Sequence, residues 1–374
     1  MTSRERLLAV LKGELPDRVP ISTYELQPQS TASWENHEPS YAPLMAFIEQ
    51  HCDTMMFAGT AGWRFAEGQT EVETWTEGDW THHRTLLHSP LGDLTTHHAS
   101  KADVVTTWTL EHALKTPDDI DKYLALDFQL GDVDMSGFFA EQDRLGEAGI
   151  LLPGVADPVC IAAEAFEMSQ FLLYSITDTD KMLYFLDALG ERLIDQLRLV
   201  CKAGVETCGE RFGEVLFRLC GPEYVTPPYL SPKYFNRFVT RYVKPMADLI
   251  HEAGAMMRYH SHGKIRHVLD EIMATEPDGI DPLEGPPDGD IDLAELKRLT
   301  GDRTCLFGNL QLKLLEHGTP QQVRETVVQC MQDAKEGGRY VIMPTAAPIN
   351  IPLSPQADTN YRVFIETALE FGGY

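Results

Sequence analysis

Two histidines two residues apart, His260 and His262, end a short run of apolar and aromatic residues that begins at Met256 and are followed by Gly263. The run reads as a β-strand, and Ile265 to Ile272 beyond it has helical spacing, so the pair falls at a strand-to-helix turn. Residues i and i+2 of a strand face the same side, which makes the two imidazoles converge. Two neutral imidazoles facing one way form half a metal site or an acid–base pair. So short a spacing also allows a plainer arrangement, with one ring packed in the core and the other bonded to a neighbouring strand. Lys264 invites a Schiff-base role, but the carboxylates around it would hold it protonated, so it is expected at the surface.

Strand-then-helix units recur along the whole chain. The strands read as Val19 to Glu25, Thr54 to Ala58, Ile150 to Val155, Val215 to Cys220, the His-Ser-His strand, Gly279 to Glu284, Cys305 to Asn309 and Tyr340 to Thr345. Eight such units predict a (β/α)8 TIM barrel. Glu71 to His112 departs from this pattern, alternating β-branched and aromatic residues with polar ones around turns at Gly78 and Gly92. It predicts a β-hairpin excursion of two or three antiparallel strands after the second strand, an insertion over about 69–112 of a single 1–374 domain. Its histidines (His82, His83, His88, His97 and His98) suggest a metal cluster, but alternation sends neighbours to opposite faces, which favours a solvated hairpin.

Parallel barrels carry their chemistry at the C-terminal ends of the strands. Those ends present Glu25, Asp157, Glu223, His260 and His262, Asp281 and Glu284, Asn309 and Thr345. Five carboxylates on one rim require a bound cation or strongly shifted protonation. No Gly-x-Gly-x-x-Gly, Walker loop, Gly-x-Ser-x-Gly elbow or Cys-His pair supports nucleotide binding or acyl transfer.

A net charge of −26 disfavours nucleic acid and anionic membranes as partners. Seven scattered cysteines without a Cys-x-x-Cys pair point to reduced thiols. With no signal core at the N-terminus and no apolar run long enough to span a bilayer, a cytoplasmic protein is expected.

Thr2 to Pro20, with Arg4-Glu5-Arg6-Leu7-Leu8 and Pro16-Asp17-Arg18-Val19-Pro20, resembles the opening helix and strand of the uroporphyrinogen decarboxylase superfamily. Ser89-Pro90-Leu91-Gly92-Asp93, Lys115 to Ile120, Leu306-Phe307-Gly308-Asn309 and Gly338 to Ile342 resemble segments of its corrinoid-linked methyltransferase branch. The resemblance runs over essentially the whole chain and implies a (β/α)8 barrel. His260-Ser261-His262-Gly263 stands where that branch has His-x-Cys-Gly, part of a zinc site completed by a cysteine after the last strand. Here His262 replaces the first cysteine, and Met343 to Pro348 holds none. The decarboxylase branch grips substrate carboxylates with arginines after the first strand, where this chain reads Tyr24-Glu25-Leu26-Gln27-Pro28-Gln29.

The resemblance therefore implies a methyltransferase-like enzyme using zinc, with a corrinoid supplied by a partner protein. The expected metal ligands are His260, His262 and Glu223, with Glu25 as the other candidate third ligand. Glu25, Asp281, Glu284 and Asn309 are expected to act in catalysis, and Tyr24, Asp157, Tyr259 and Thr345 to contact a small-molecule substrate. A metal-free decarboxylase or lyase, with His260 and Asp281 shuttling protons, is the rival enzyme. A barrel that only binds small molecules is the third class.

Overall fold

The computed structural model describes residues 1–374. Seven parallel strands make one curled sheet whose order follows the chain: β1 (Thr54–Ala58), β2 (Gly149–Ala156), β3 (Leu216–Cys220), β4 (Met256–His260), β5 (Gly279–Asp281), β6 (Cys305–Leu310) and β7 (Tyr340–Pro344). Strands covered on both faces are largely apolar, and β4 and β7 are buried at every position, β4 despite Arg258 and His260. Alternate side chains divide between two cores. Met55, Ile150, Leu152, Leu216, Met256, Phe307 and Met343 gather inside the curl, and their neighbours pack outward against helices.

The first helix, α1 (Ser3–Lys12), starts with a capping box between Thr2 and Glu5. Its Leu7, Leu8, Val10 and Leu11 belong to the inner core, where they meet the first residues of the strands. α1 therefore covers the N-terminal end of the sheet. The C-terminal end is left for chemistry.

The sequence predicted a further strand over Val19 to Glu25, and here the structure differs. Pro20 has no N–H to donate, and Tyr24 turns the chain with a φ of 59°. What remains is a single bridge from Ile21 to Ile342. The segment still joins the two outer strands. Ser22 N donates to Ile342 O at 3.0 Å, and Asp53 N donates to Ile21 O at 2.7 Å. Buried Asp53 takes Ile21 N, Arg6 and Arg18 as further donors.

Between β1 and β2 lies an antiparallel sheet of four strands, Thr70–Glu77, Trp80–Leu87, Leu94–Lys101 and Val104–Glu111. The last of its turns, at Ala102-Asp103, contains neither glycine nor proline, so the sequence showed fewer strands. His82 and His97 bond to each other at 3.0 Å, while His83 and His98 bond to Thr74 and Thr109. After β2 the helical stretch divides in two: α2 (Pro158–Ala165) and α3 (Met168–Thr177). Glu167 breaks it by capping α3, accepting from Gln170 N at 3.2 Å. No helix is long and apolar enough to cross a membrane.

Candidate functional site

His260 is the last residue of β4, and its Nδ1 lies 2.7 Å from Oδ2 of Asp281, the last residue of the adjacent β5. Asp281 also receives both prongs of the buried Arg258 guanidinium, each at 2.7 Å. Burial works against the Asp281 charge, but Arg258 and His260 outweigh it and hold the carboxyl well below the usual range. An ionised carboxylate only accepts, so Nδ1 of His260 carries the proton and Nε2 is left bare. Burial also lowers the pKa of His260, with Asp281 opposing only part of the fall. His260 is thus a neutral, fixed imidazole.

His262 repeats the arrangement with the opposite outcome. Its Nδ1 lies 3.1 Å from Oε1 of Glu284, whose Oε2 accepts from Gly263 N at 2.9 Å. Burial lowers the pKa of His262, but the bond to Glu284 and that carboxylate's charge outweigh it and leave the value raised. Glu284 is correspondingly lowered, since its two donors overcome its own burial. Gly263 makes this geometry possible. Its φ is 97°, and a Cβ there would sit 2.9 Å from Pro227 O. The two imidazole rings meet edge-on with centroids 4.9 Å apart. Neighbouring titratable groups whose surroundings push them apart are a recurring basis for dividing acid from base.

Beside the pair stands a second interior arginine. Across the sheet one level reads Gly154, Arg218, Arg258, Gly279, so two guanidinium groups sit on adjacent strands with glycine on either side. Arg258 is 1% exposed and neutralised by Asp281. Arg218 has no carboxylate partner. It donates to Tyr24 Oη at 2.7 Å and to Cys220 Sγ at 2.9 Å, lies 4.9 Å above the Phe57 ring, and leaves Nε without a partner. Tyr24 in turn stacks on His260 at 6.4 Å.

Other expected site residues have different occupations. Asp281 and Glu284 orient histidines, which leaves them poor candidates for moving protons themselves. Tyr259 points away from the pair, into the outer core, because alternation puts it on the face opposite Arg258 and His260. Asn309 spends its amide on Leu283 O and the Cys330 thiol. Thr345 uses its hydroxyl to receive Leu312 N. Asp157 is completely buried, caps α2 through Cys160 N, and is pushed well up by that burial, with Oδ2 unpartnered. Gly221, at φ 130°, leaves it room, since a Cβ there would come within 2.0 Å of Asp157 Oδ1. Glu25 has an exposed edge, yet loss of hydration among its neighbours raises its pKa against the pull of Arg218.

Glu223 accepts from Gly221 N at 3.0 Å, and no three His, Cys, Asp or Glu side chains are grouped to hold a metal ion. The expected His260–His262–Glu223 triad is therefore not assembled. The two imidazoles do show the outer-shell pattern of metal ligands, each with Nδ1 fixed by a carboxylate and Nε2 without a protein partner. Arg258 is marked by no motif, yet two residues before His260 on one strand it must share the inward face.

The sequence profile of the family described as uroporphyrinogen decarboxylase (URO-D) matches residues 110–357, more than half of the chain. A uroporphyrinogen decarboxylase of Pseudoalteromonas translucida is 28% identical over 192 residues, 50% of this chain and 47% of that one. The methylcobamide:CoM methyltransferase MtaA of Methanosarcina barkeri is 22% identical over 169 residues, 45% of each chain. The chain thus spans about half the length of the curated relatives it matches. A solved methyltransferase from Methanosarcina mazei covers 99% of both chains with a TM-score of 0.59 at 18% identity, a likeness of fold.

Proposed function

The chain belongs to the uroporphyrinogen decarboxylase family, and from that premise we propose that it is a methyltransferase-like enzyme. In this reading it moves a methyl group from a small-molecule donor to a corrinoid carried by a partner protein. The supporting observation is the histidine pair, anchored through Nδ1 by two carboxylates and split in protonation. When a methyl group leaves as a cation equivalent, the heteroatom keeps the bonding pair and becomes basic. His262, raised in pKa and partly exposed, is the group placed to give that heteroatom a proton from Nε2. His260, neutral and fixed, positions the donor beside it. A reduced corrinoid on the partner would supply the electron pair for the methyl group. Zinc held at the two Nε2 atoms would add a Lewis acid, but the residues present offer no grouped third ligand for it.

The fold belonging to this reading is one closed (β/α)8 barrel domain, with Pro20–Ser22 standing in for the eighth strand and the antiparallel sheet as its insertion. Seven free cysteines suit a reducing compartment such as the cytoplasm. A second reading, decarboxylation of a carboxylated substrate, draws on Arg218, a guanidinium without a carboxylate of its own. One experiment separates the two. Purified protein is given a panel of methyl donors with reduced cobalamin, and separately uroporphyrinogen. Methylation of cobalamin that is lost in His262→Ala supports methyl transfer. Release of carbon dioxide from uroporphyrinogen, with no methylation, overturns it.

A further inference from the structure

A cavity of about 940 Å³ does not contain the histidine pair. It opens between the antiparallel sheet and α2, the helix that leaves the C-terminal end of β2. Five aromatic rings line it: Phe65, Tyr123, Phe166, Tyr224 and Tyr229. Tyr224 directly follows Glu223 in the turn after β3, which puts this wall on the reacting end of the sheet. Two carboxylates, Glu164 and Glu167, also line it, and no lysine or arginine does. Glu164 accepts from Tyr224 Oη at 3.4 Å, and Glu167 from Ser169 Oγ and Gln170 N, so neither charge is cancelled by a cationic partner. The hydroxyl of Ser169 lowers the pKa of Glu167, which stays ionised. Of the histidines in the wall, His98 is held neutral by burial and by His112, His97 and His83 around it.

We propose that this cavity binds an organic cation, a compound carrying a methylated ammonium group. The faces of aromatic rings carry negative potential and attract such a group once it is desolvated. Two uncancelled carboxylates add to that attraction, and a chain of net charge −26 draws cations toward it. A carboxylated ligand meets only repulsion here. The assignment goes beyond the methyl-transfer reading, whose histidine pair does not line this cavity, and stands on binding alone. Binding itself is measured without any transfer.

The test is calorimetric titration of the full chain with choline, with 3,3-dimethylbutanol (the same shape without the charge) and with benzoate. Saturable choline binding at least about tenfold tighter than the neutral isostere is expected. Benzoate should not bind. Glu164→Gln and Tyr229→Ala, both at exposed side chains, should each weaken choline binding severalfold while leaving the melting temperature in place. His260→Ala should bind choline as the parent does, so a protein that binds the cation but transfers no methyl group overturns the function and not the cavity. Equal binding of cation and isostere, preference for benzoate, or no choline binding up to tens of millimolar overturns the assignment.

Discussion

Replacing Asp281 by asparagine preserves the shape of the side chain while removing the only carboxylate bonded to buried Arg258. The guanidinium is 1% exposed and its other contacts are the thioethers of Met55 and Met343 and the face of Phe307. Nothing there can take over the charge. Removing one partner of a buried pair costs about 3–5 kcal/mol, since the remaining charge stays desolvated. At an unfolding entropy of roughly 2.1 cal/mol/K per residue, 374 residues give about 0.8 kcal/mol/K, so Asp281→Asn should melt about 4–6 °C lower. The double variant Arg258→Met, Asp281→Leu should recover most of this, because an apolar pair avoids the desolvation altogether. Acid supplies a second check. The Asp281 pKa is depressed by folding, so its contribution is fully present above the unfolded value of about 3.9 and fades as pH falls toward the folded one. The gap between parent and variant should hold steady from neutral pH to about 5 and narrow below about 4. Scanning calorimetry at several pH values reads both. A variant melting within about 1 °C of the parent at pH 7, or a gap that widens in acid, would refute the compensation argument.

Glu284→Gln takes away the cause of the raised His262 pKa, so the alkaline limb of a methyl-transfer pH profile should move to lower pH. The sign follows from the parent, where the His262 proton is retained above the ordinary value of about 6.5 and lost as pH rises through the folded one. A limb that stays in place would remove His262 as the acid. His262→Ala, whose side chain is 38% exposed, should cost about 1 kcal/mol or less, while His260→Ala also breaks a buried bond to Asp281 and should cost about 1–3 kcal/mol. Equal melting temperatures would contradict that ordering. Uroporphyrin, rich in carboxylates, should quench weakly in fluorescence titration, since Arg218 and Lys264 are few cations to set against so many carboxylates; micromolar affinity would revive the decarboxylase.

Seven of the eight predicted parallel strands formed where strands covered on both faces show continuous apolar runs, as in Tyr340 to Met343. The eighth failed because Val19 and Ile21 gave the right pattern while Pro20 and the left-handed Tyr24 denied it a ladder. At the site, spacing alone located His260, His262 and the carboxylates opposite them. It did not reveal which carboxylate moves protons and which holds a ring, since that depends on Arg258, and a charged residue inside a strand gives no sign of an interior partner. Tyr259 was within reach of the sequence. The same two-residue period that paired the histidines sends it to the other face.

The helix α1 has a consequence for traffic. With its leucines packed across one end of the sheet and the Arg258–Asp281 pair spanning the interior above them, reactants have only the strand-end side as a doorway. If the methyl donor and a protein-borne acceptor both use it, the donor must be inside before the larger partner docks and covers the opening. The spent donor cannot leave until that partner departs. Under the methyl-transfer reading, such a gate would enforce an order of arrival and make release of the docked protein, rather than bond cleavage, the natural place for turnover to be limited.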